Sequence, residues 1–456
     1  MKSRKNSYIP QLSALLFLLL LCSSCSSESS SFSTEPGISN KGAAPVPAKQ
    51  IHAVYKTVNG QDIFLDDAEP PLLHVPLEEI RDRAARNDAA AIYELGRRYT
   101  SAKEAPAQDF SQGFALLKKA AELNDPDAQN ELGLTYSYGL SGVTQNYKKA
   151  LTFFQQAADQ GHPYGQYNLA DAYAFGLGTK KNAEKAVLWY RKAAQQGNIL
   201  AVYQLGQSYR WGDGVKEDDK KAIELYQQVS AVGIGLGDFQ LGTMYDKGEG
   251  VSVDKKKAFD YYRKGAERGY PKAQTFLALK YDKGDLVSRN LSKAYEWYKK
   301  AAEAGEPQAQ NNLGQMYRAG DGVAQNYREG FKWLKKAAEQ DYPAALGNLS
   351  TVYLLGEGVS SNLQAGYDYA VKGAALGNPT AIFNIGQLYE HGKIVNQSDI
   401  QACAHYLLTK VLDEAVGANT DMTMDSLATV KSRMTPTQIQ QAEALIPELK
   451  RKYGLL

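Results

Sequence analysis

Residues 306–341 read EPQAQNNLGQMYRAGDGVAQNYREGFKWLKKAAEQD. Pro307 can open a helix, and Ala309, Leu313, Met316 and Tyr317 then recur at helical spacing. Gly320-Asp321-Gly322-Val323 interrupts that stripe. A second stripe runs through Tyr327, Phe331, Trp333, Leu334, Ala337 and Ala338 and stops near Gln340-Asp341. The segment is thus two short helices joined by a glycine turn. Two such helices cannot bury their apolar faces alone.

The same signature runs along most of the chain. A leucine, once an isoleucine, is followed by a small residue and, four positions on, by a tyrosine. The starts are Leu95, Leu132, Leu169, Leu205, Leu241, Leu277, Leu313, Leu349 and Ile385, at intervals of 37, 37 and then 36 six times. The tyrosines run without a gap from Tyr99 to Tyr389. A period of this size means stacked repeats, each covering its neighbour. The expected fold is an all-α solenoid of about nine helix-turn-helix repeats over 77–414. A lone capping helix at 77–86 and C-terminal capping helices over 415–456 close its ends. The 456 residues alone would suggest two or three domains, but the repeat argues for one array.

Each repeated position has a physical reason. The small residue after the leucine (Gly133, Gly206 and Gly314 among others) lets the second helix come close. The second-helix aromatics Phe153, Trp189, Tyr261, Trp297 and Trp333 are expected to fill the space it leaves. Buried repeat tyrosines are expected too. Glycines in Gly212-Asp213-Gly214 and its sisters supply positive φ at the turn.

Residues 201–233 carry Ala201, Leu205-Gly206, Tyr209, Gly212-Asp213-Gly214-Val215, Lys221-Ala222 and Tyr226. Here the chain closely resembles the Sel-1-like repeat family, a longer-looped relative of tetratricopeptide repeats, over roughly 85–414. The resemblance implies a right-handed α/α superhelical solenoid. It departs at Ala105-Pro106-Ala107, at Gly284-Asp285-Leu286, which lacks the second glycine, and at Gly392-Lys393-Ile394-Val395. By the tetratricopeptide analogy the first helices line a groove that binds a protein or peptide. Candidate partner-binding residues there are Tyr138, Tyr167, Phe175, Tyr203, Arg210 and Trp211. Later equivalents of the outermost aromatics are Lys247, Lys283 and Ala319, so aromatic anchors concentrate in the first half. For Tyr167 and Tyr203 a partly buried structural role is an equal reading. A second constellation is Asp213, Glu249, Asp285, Asp321 and Glu357, each 36 apart, which reads mainly as solvated turn residues.

The N-terminus reads as a secretion signal. Lys2, Arg4 and Lys5 precede an apolar run from Leu12 to Leu21, too short for the roughly 20 residues of a membrane span. Leu21-Cys22-Ser23-Ser24-Cys25-Ser26 resembles a bacterial lipoprotein signal. The resemblance makes 1–24 the signal peptide and Cys25 the lipidated residue; an ordinary cleaved signal is the alternative. Ser26 and Ser27 are not the aspartate of inner-membrane retention, so an outer-membrane lipoprotein facing the periplasm is expected. Residues 25–50 form a Ser/Pro-rich tether, and 51–76 a small hairpin or extended arm around Asn59-Gly60.

Without the signal the chain has 49 basic and 50 acidic residues, which gives nucleic-acid binding no electrostatic support. Cys403 would be the one thiol left, a small buried hydrophobe. The histidines (52, 74, 162, 391 and 405) form no metal-ligand pair at helical spacing. His162 reads as a turn residue. Gly233, Gly235 and Gly237 read as an inter-repeat turn rather than a phosphate loop. Ser252-Val253-Asp254-Lys255 matches a serine-x-x-lysine motif but lacks that motif's partners. No catalytic residue, metal or cofactor is therefore expected. The reading is a non-enzymatic envelope scaffold. The alternatives are a regulator or enzyme acting on peptidoglycan or β-lactam, or a surface factor that binds a host protein.

Overall fold

In a computed structural model the described residues are 54–58, 61–65, 72, 74–100, 110–140, 142–416 and 420–455. The signal segment, Cys25, the tether and the loop at Ala105-Pro106-Ala107 lie outside them. Two compact units result. The first includes Asp66–Ala258, and the second comprises Val54–Leu65 with Phe259–Leu456.

In both units consecutive helices pair, and the pairs stack in chain order. First helices such as Pro126–Tyr138, Pro163–Phe175 and Ile199–Trp211 alternate with second helices such as Tyr147–Asp159, Ala183–Gln195 and Asp219–Ala231. The boundaries follow local chemistry. Asn146, Asn182, Asn290, Asn326 and Asn362 each cap a second helix, their side chains accepting an N–H three residues on. Gly176, Gly212, Gly320 and Gly356 end first helices in the left-handed conformation.

The second glycine of the turn has a stricter role. A Cβ on Gly178 would lie 2.2 Å from the Tyr147 carbonyl oxygen, and one on Gly358 2.3 Å from that of Tyr327. The turn thus rests directly on the start of the preceding repeat's second helix. Where this glycine is absent, Leu286 and Ile394 take φ +68° themselves, an unfavourable state for a bulky side chain.

The aromatic that fills the space above the small residue is not the one expected. A Cβ on Gly133 would meet Phe154 Cδ1 at 2.4 Å, and one on Gly206 would meet Tyr226 Cε1 at 2.6 Å. In the second unit Gly314 faces Leu334 and Gly386 faces Tyr406. The occupant therefore sits one residue after Phe153, Trp189, Tyr261, Trp297 and Trp333. The reason is helical rotation: Phe154 shares a stripe with Ala150, Ala157 and Ala158, all buried. Phe153 instead turns toward the repeat tyrosine.

The repeat tyrosines are half-buried rather than buried. Tyr136 lies between Phe114 (edge-on, 6.0 Å) and Phe153 (stacked, 5.8 Å), with Lys149 Nζ 5.1 Å from the ring centre. Tyr353 lies likewise between Phe331 and Tyr369. The tyrosine thus bridges the second helices of its own and the preceding repeat, and a lysine covers its outer face in Tyr136, Tyr173, Tyr209, Tyr245 and Tyr281.

Distinct devices close the array. In the first unit helix Leu77–Ala85 packs Ile80 against Ile92 and Leu95. Arg98 is buried there, donating to Glu94 at 2.8 Å and to the carbonyls of Leu72 and Val75 at 3.0 Å each. In the second unit helices Asp421–Lys431 and Pro436–Lys452 cover Asp399–Val416. Thr435 and Gln438 form a capping box at Pro436. Arg433 reaches Glu390 at 2.9 Å and Asp399 at 3.0 Å, and Tyr406 donates to the same Glu390 at 2.7 Å. Cys403 is buried in this core, and burial raises its thiol pKa. Strands Val54–Val58 and Gln61–Leu65 pair antiparallel, with Val58 opposite Gln61.

Candidate functional site

The first unit carries the residues singled out above. Tyr138, Phe175 and Trp211 are the last residues of successive first helices, each followed by a left-handed glycine. Phe175 is 48% and Trp211 57% exposed, whereas Tyr138 is half-buried. The helix C-terminus projects the ring away from the core, and the glycine turns the chain back beneath it. Apolar exposure at this position is not confined to the first unit. Leu355 holds the same repeat position in the second unit and is 65% exposed.

Tyr167 and Tyr203 are half-buried and carry structural contacts. Tyr203 Oη accepts from Gln207 at 2.7 Å and from Gln240 at 3.1 Å, and its ring lies 6.0 Å from Tyr226. The Tyr167 ring lies 5.9 Å from Tyr190, and its hydroxyl engages Asp171 and Gln204.

Arg210 requires a correction. It is only 6% exposed and is not a free groove residue. Its Nε donates to Glu249 at 2.8 Å, its Nη2 lies 2.6 Å from the same carboxylate, and its Nη1 donates to Gln240 at 2.8 Å. A forked guanidinium matched to a carboxylate across a repeat boundary is a stacking device. Its guanidinium lies 4.9 Å from the Trp211 ring centre and backs that ring. In the second unit Arg318 grips Glu357 in the same way at the same separation. Glu249 and Glu357 are thereby taken by ion pairs, and Asp285 pairs with Lys280.

The structure also shows a feature that the leucine-tyrosine signature hides. The residue before the repeat leucine faces the preceding first helix where its contacts are seen. In the first unit this position holds Glu94, Glu131, Asn168, Gln204 and Gln240. Asn168 Nδ2 donates to Asn130 at 2.8 Å, which ties one first helix to the preceding one. Burial pushes the Glu131 carboxyl up to about 7 and Asp171 up to about 6. The signal was present as a polar residue beside the leucine in almost every repeat, but helical spacing alone does not say which polar residue is enclosed.

The motifs that resembled chemistry resolve into turns and caps. His162 Nδ1 accepts the Gly165 N–H at 2.9 Å, and its Nε2 lies 3.1 Å from Asp127. Asp254 caps a second helix, and Lys255 pairs with Asp246 at 2.9 Å, so Ser252-x-x-Lys255 is a helix start. Gly235 and Gly237 lie inside helix Gly235–Lys247. His405 is buried, with Nδ1 donating to the Gln401 carbonyl at 2.7 Å and Nε2 facing the Tyr453 hydroxyl at 3.0 Å. Among the described residues no group of three His, Cys, Asp or Glu could hold a metal ion, and no helix is long and apolar enough to cross a membrane.

Comparison with known proteins agrees with this architecture. No curated protein matches the chain. Among solved structures it is similar to a protective antigen of uropathogenic Escherichia coli that displays an SLR fold. That pair is 29% identical over 83% of this chain and 87% of the other, with a TM-score of 0.46. A Sel1 repeat protein from Oxalobacter formigenes is 28% identical over 74% of this chain and 97% of its own, with a TM-score of 0.49. The cysteine rich protein B of Helicobacter pylori is 30% identical over 30% of this chain and 97% of its own, with a TM-score of 0.25. The Sel1 repeat pattern itself matches nine times in succession, at 89–125, 126–162, 163–198, 199–230, 236–270, 271–306, 307–342, 343–378 and 379–409. With every repeat accounted for by that pattern, the chain belongs to the Sel1 repeat family.

Proposed function

We propose that this chain is a non-enzymatic scaffold of the bacterial cell envelope, tethered to the outer membrane through lipid on Cys25 and facing the periplasm. It binds a protein or peptide partner on the first-helix face of the first unit. Sel1 repeat proteins mediate protein–protein interaction, and their scaffold is typically without enzymatic activity. The observation that carries the site is the exposure of Phe175 and Trp211 at neighbouring helix ends. Large rings left open at successive repeats are unusual on a surface that binds nothing. Rigid aromatic anchors also carry much of the affinity of an interface.

Two experiments test the reading. Cross-linking in intact envelopes, followed by capture of the chain, is expected to yield a partner that the Phe175→Ala, Trp211→Ala double variant no longer retains while its helicity is unchanged. Equal capture by the double variant sinks the site. Cys25→Ala is expected to free the protein from membranes or to stall its processing, because a firm anchor needs more than one acyl chain. Unchanged, detergent-dependent membrane attachment of that variant sinks the tether.

A further inference from the structure

The second helices of the second unit carry a column of lysines. Lys264, Lys300, Lys336 and Lys372 stand 36 residues apart on four successive second helices. Each follows an aromatic by three residues: Tyr261, Trp297, Trp333 and Tyr369. That spacing places lysine and ring on one helix face, about a turn apart. In the two middle repeats the contact is direct. Lys300 Nζ lies 4.3 Å from the Trp297 ring centre, and Lys336 Nζ lies 4.0 Å from that of Trp333. Both tryptophans pack against one core cluster, so neighbouring repeats hold the two lysines side by side.

These two lysines differ from their neighbours in their partners. Lys299 and Lys335, one residue earlier, each lie 4.0 Å from an acid four residues on, Glu303 and Glu339. Lys372, at the end of the column, pairs with Asp341 at 2.5 Å. Lys300 and Lys336 are exposed and form no ion pair among the described residues. Glu296 stands one turn before Lys300, yet the ammonium lies over the tryptophan instead. A ring that holds the ammonium narrows the rotamers an exposed lysine explores, so less freedom is lost when an anion arrives. The charge on this face is also striped. Lysines form one column, and Glu267, Glu303 and Glu339 form a parallel one at the helix ends. A flat anionic surface would meet both stripes, whereas a narrow chain can follow the basic one.

We propose that this column binds an extended acidic segment of a protein partner, with successive carboxylates on Lys300 and Lys336. The stacking sets the spacing of that segment. Tyr353 separates two second helices, its ring 5.6 Å from Phe331 on one and 5.6 Å from Tyr369 on the next. Lysines of neighbouring repeats are thus roughly 10 Å apart, close to the usual distance between packed helices. Three residues of extended chain span about the same length. The fitting segment therefore carries Asp or Glu at every third position. Lysine is a compact point charge, so what it selects is charge and spacing rather than a planar, forked geometry. The column is separate from the exposed rings Phe175 and Trp211, which belong to first helices of the first unit.

The test uses the full chain and fluorescein-labelled Gly/Ser peptides of equal length, followed by fluorescence anisotropy at low salt. One peptide carries Asp at every third position, one carries the same number of Asp in a single block, and one carries Asn in their place. The spaced peptide is expected to bind about tenfold more tightly than either control. Lys300→Gln with Lys336→Gln should abolish that preference. Lys299→Gln with Lys335→Gln removes the same charge one residue away and should leave the preference within about twofold. Trp333→Leu keeps the lysine but not its ring, and should weaken the spaced peptide about threefold. Phe175→Ala with Trp211→Ala should leave this binding unchanged, and a loss there would put the peptide on the first-unit face and overturn the column. Equal binding of spaced and block peptides, equal losses in the two lysine pairs, or no binding at all also overturns it. Parent-like binding in Trp333→Leu overturns the part given to the ring. Displacement of the spaced peptide by phosphatidylglycerol vesicles or by a single-stranded oligonucleotide at lower charge concentration assigns the face to a membrane or a nucleic acid and overturns the peptide.

Discussion

Tyr226→Ala in the first unit is the sharpest test of how the repeats hold together. The ring is 0% exposed, lies over Gly206 and donates its hydroxyl to Gln207 at 2.5 Å. Its truncation removes a whole aromatic ring, and the residue opposite is a glycine with no side chain to relax into the void. The expected loss is therefore at the upper part of the usual 3–5 kcal/mol for a buried aromatic. Tyr226→Phe keeps the ring and removes only the hydroxyl that Gln207 and Arg210 engage, so about 1 kcal/mol is expected. Tyr209→Ala removes a half-buried ring with a lysine over its face at 5.2 Å, and roughly half the Tyr226→Ala loss is expected. Because stacked repeats depend on their neighbours, the assay is amide hydrogen exchange resolved by helix. Protection should fall by about two to three orders of magnitude in Ile199–Trp211 and Asp219–Ala231, and far less in helix Leu77–Ala85. If Tyr226→Ala leaves protection near the parent's, or Tyr209→Ala loses as much, the packing account is wrong.

Further outcomes follow from the same structure. Ile394→Gly should stabilise the second unit by about 1 kcal/mol in urea titrations, because a β-branched residue at φ +68° gives way to one that tolerates it; a loss of stability would show that the side chain matters more than the backbone. A double-mutant cycle of Arg318→Ala and Glu357→Ala should show coupling of about 1 kcal/mol, and no resolvable coupling would contradict the bidentate geometry. His405 is held near 4 by burial against 6.5 when unfolded, so it is neutral in the fold and takes up its proton on unfolding. Its contribution is therefore complete above pH 6.5 and is lost as the pH falls toward 4, by roughly 3 kcal/mol. Denaturant titrations of the parent and His405→Gln should diverge in that window and not above it. Glu131 behaves oppositely to an ion-paired acid. Its folded pKa near 7 exceeds its unfolded value, so it weakens the fold as the pH rises from 4.5 through 7. Glu131→Gln should accordingly raise the melting temperature at pH 8 and change little at pH 4.5.

Periodicity made much of this molecule legible in one dimension. Leucine, small residue and tyrosine at 36- and 37-residue intervals determine nine helix pairs, because only stacking can bury stripes that short. Thr435-Pro436 and the glycine pairs mark helix ends, because capping and positive φ are local requirements. Rotation about a helix axis is not local. Whether Phe153 or Phe154 lies over Gly133 depends on how two helices meet, and both residues satisfy the apolar stripe equally well. Only the tertiary structure decided that. It likewise turned Arg210 from an exposed anchor into an inter-repeat clamp, since its partner Glu249 lies 39 residues away. Enclosure is the third quantity that no spacing contains. Glu94 and Glu131 are the same residue at the same repeat position, yet Glu94 takes hydrogen bonds from two arginines while Arg97 acts on Glu131 only through its charge, because which side chains reach an acid is set by whichever helices pack around it.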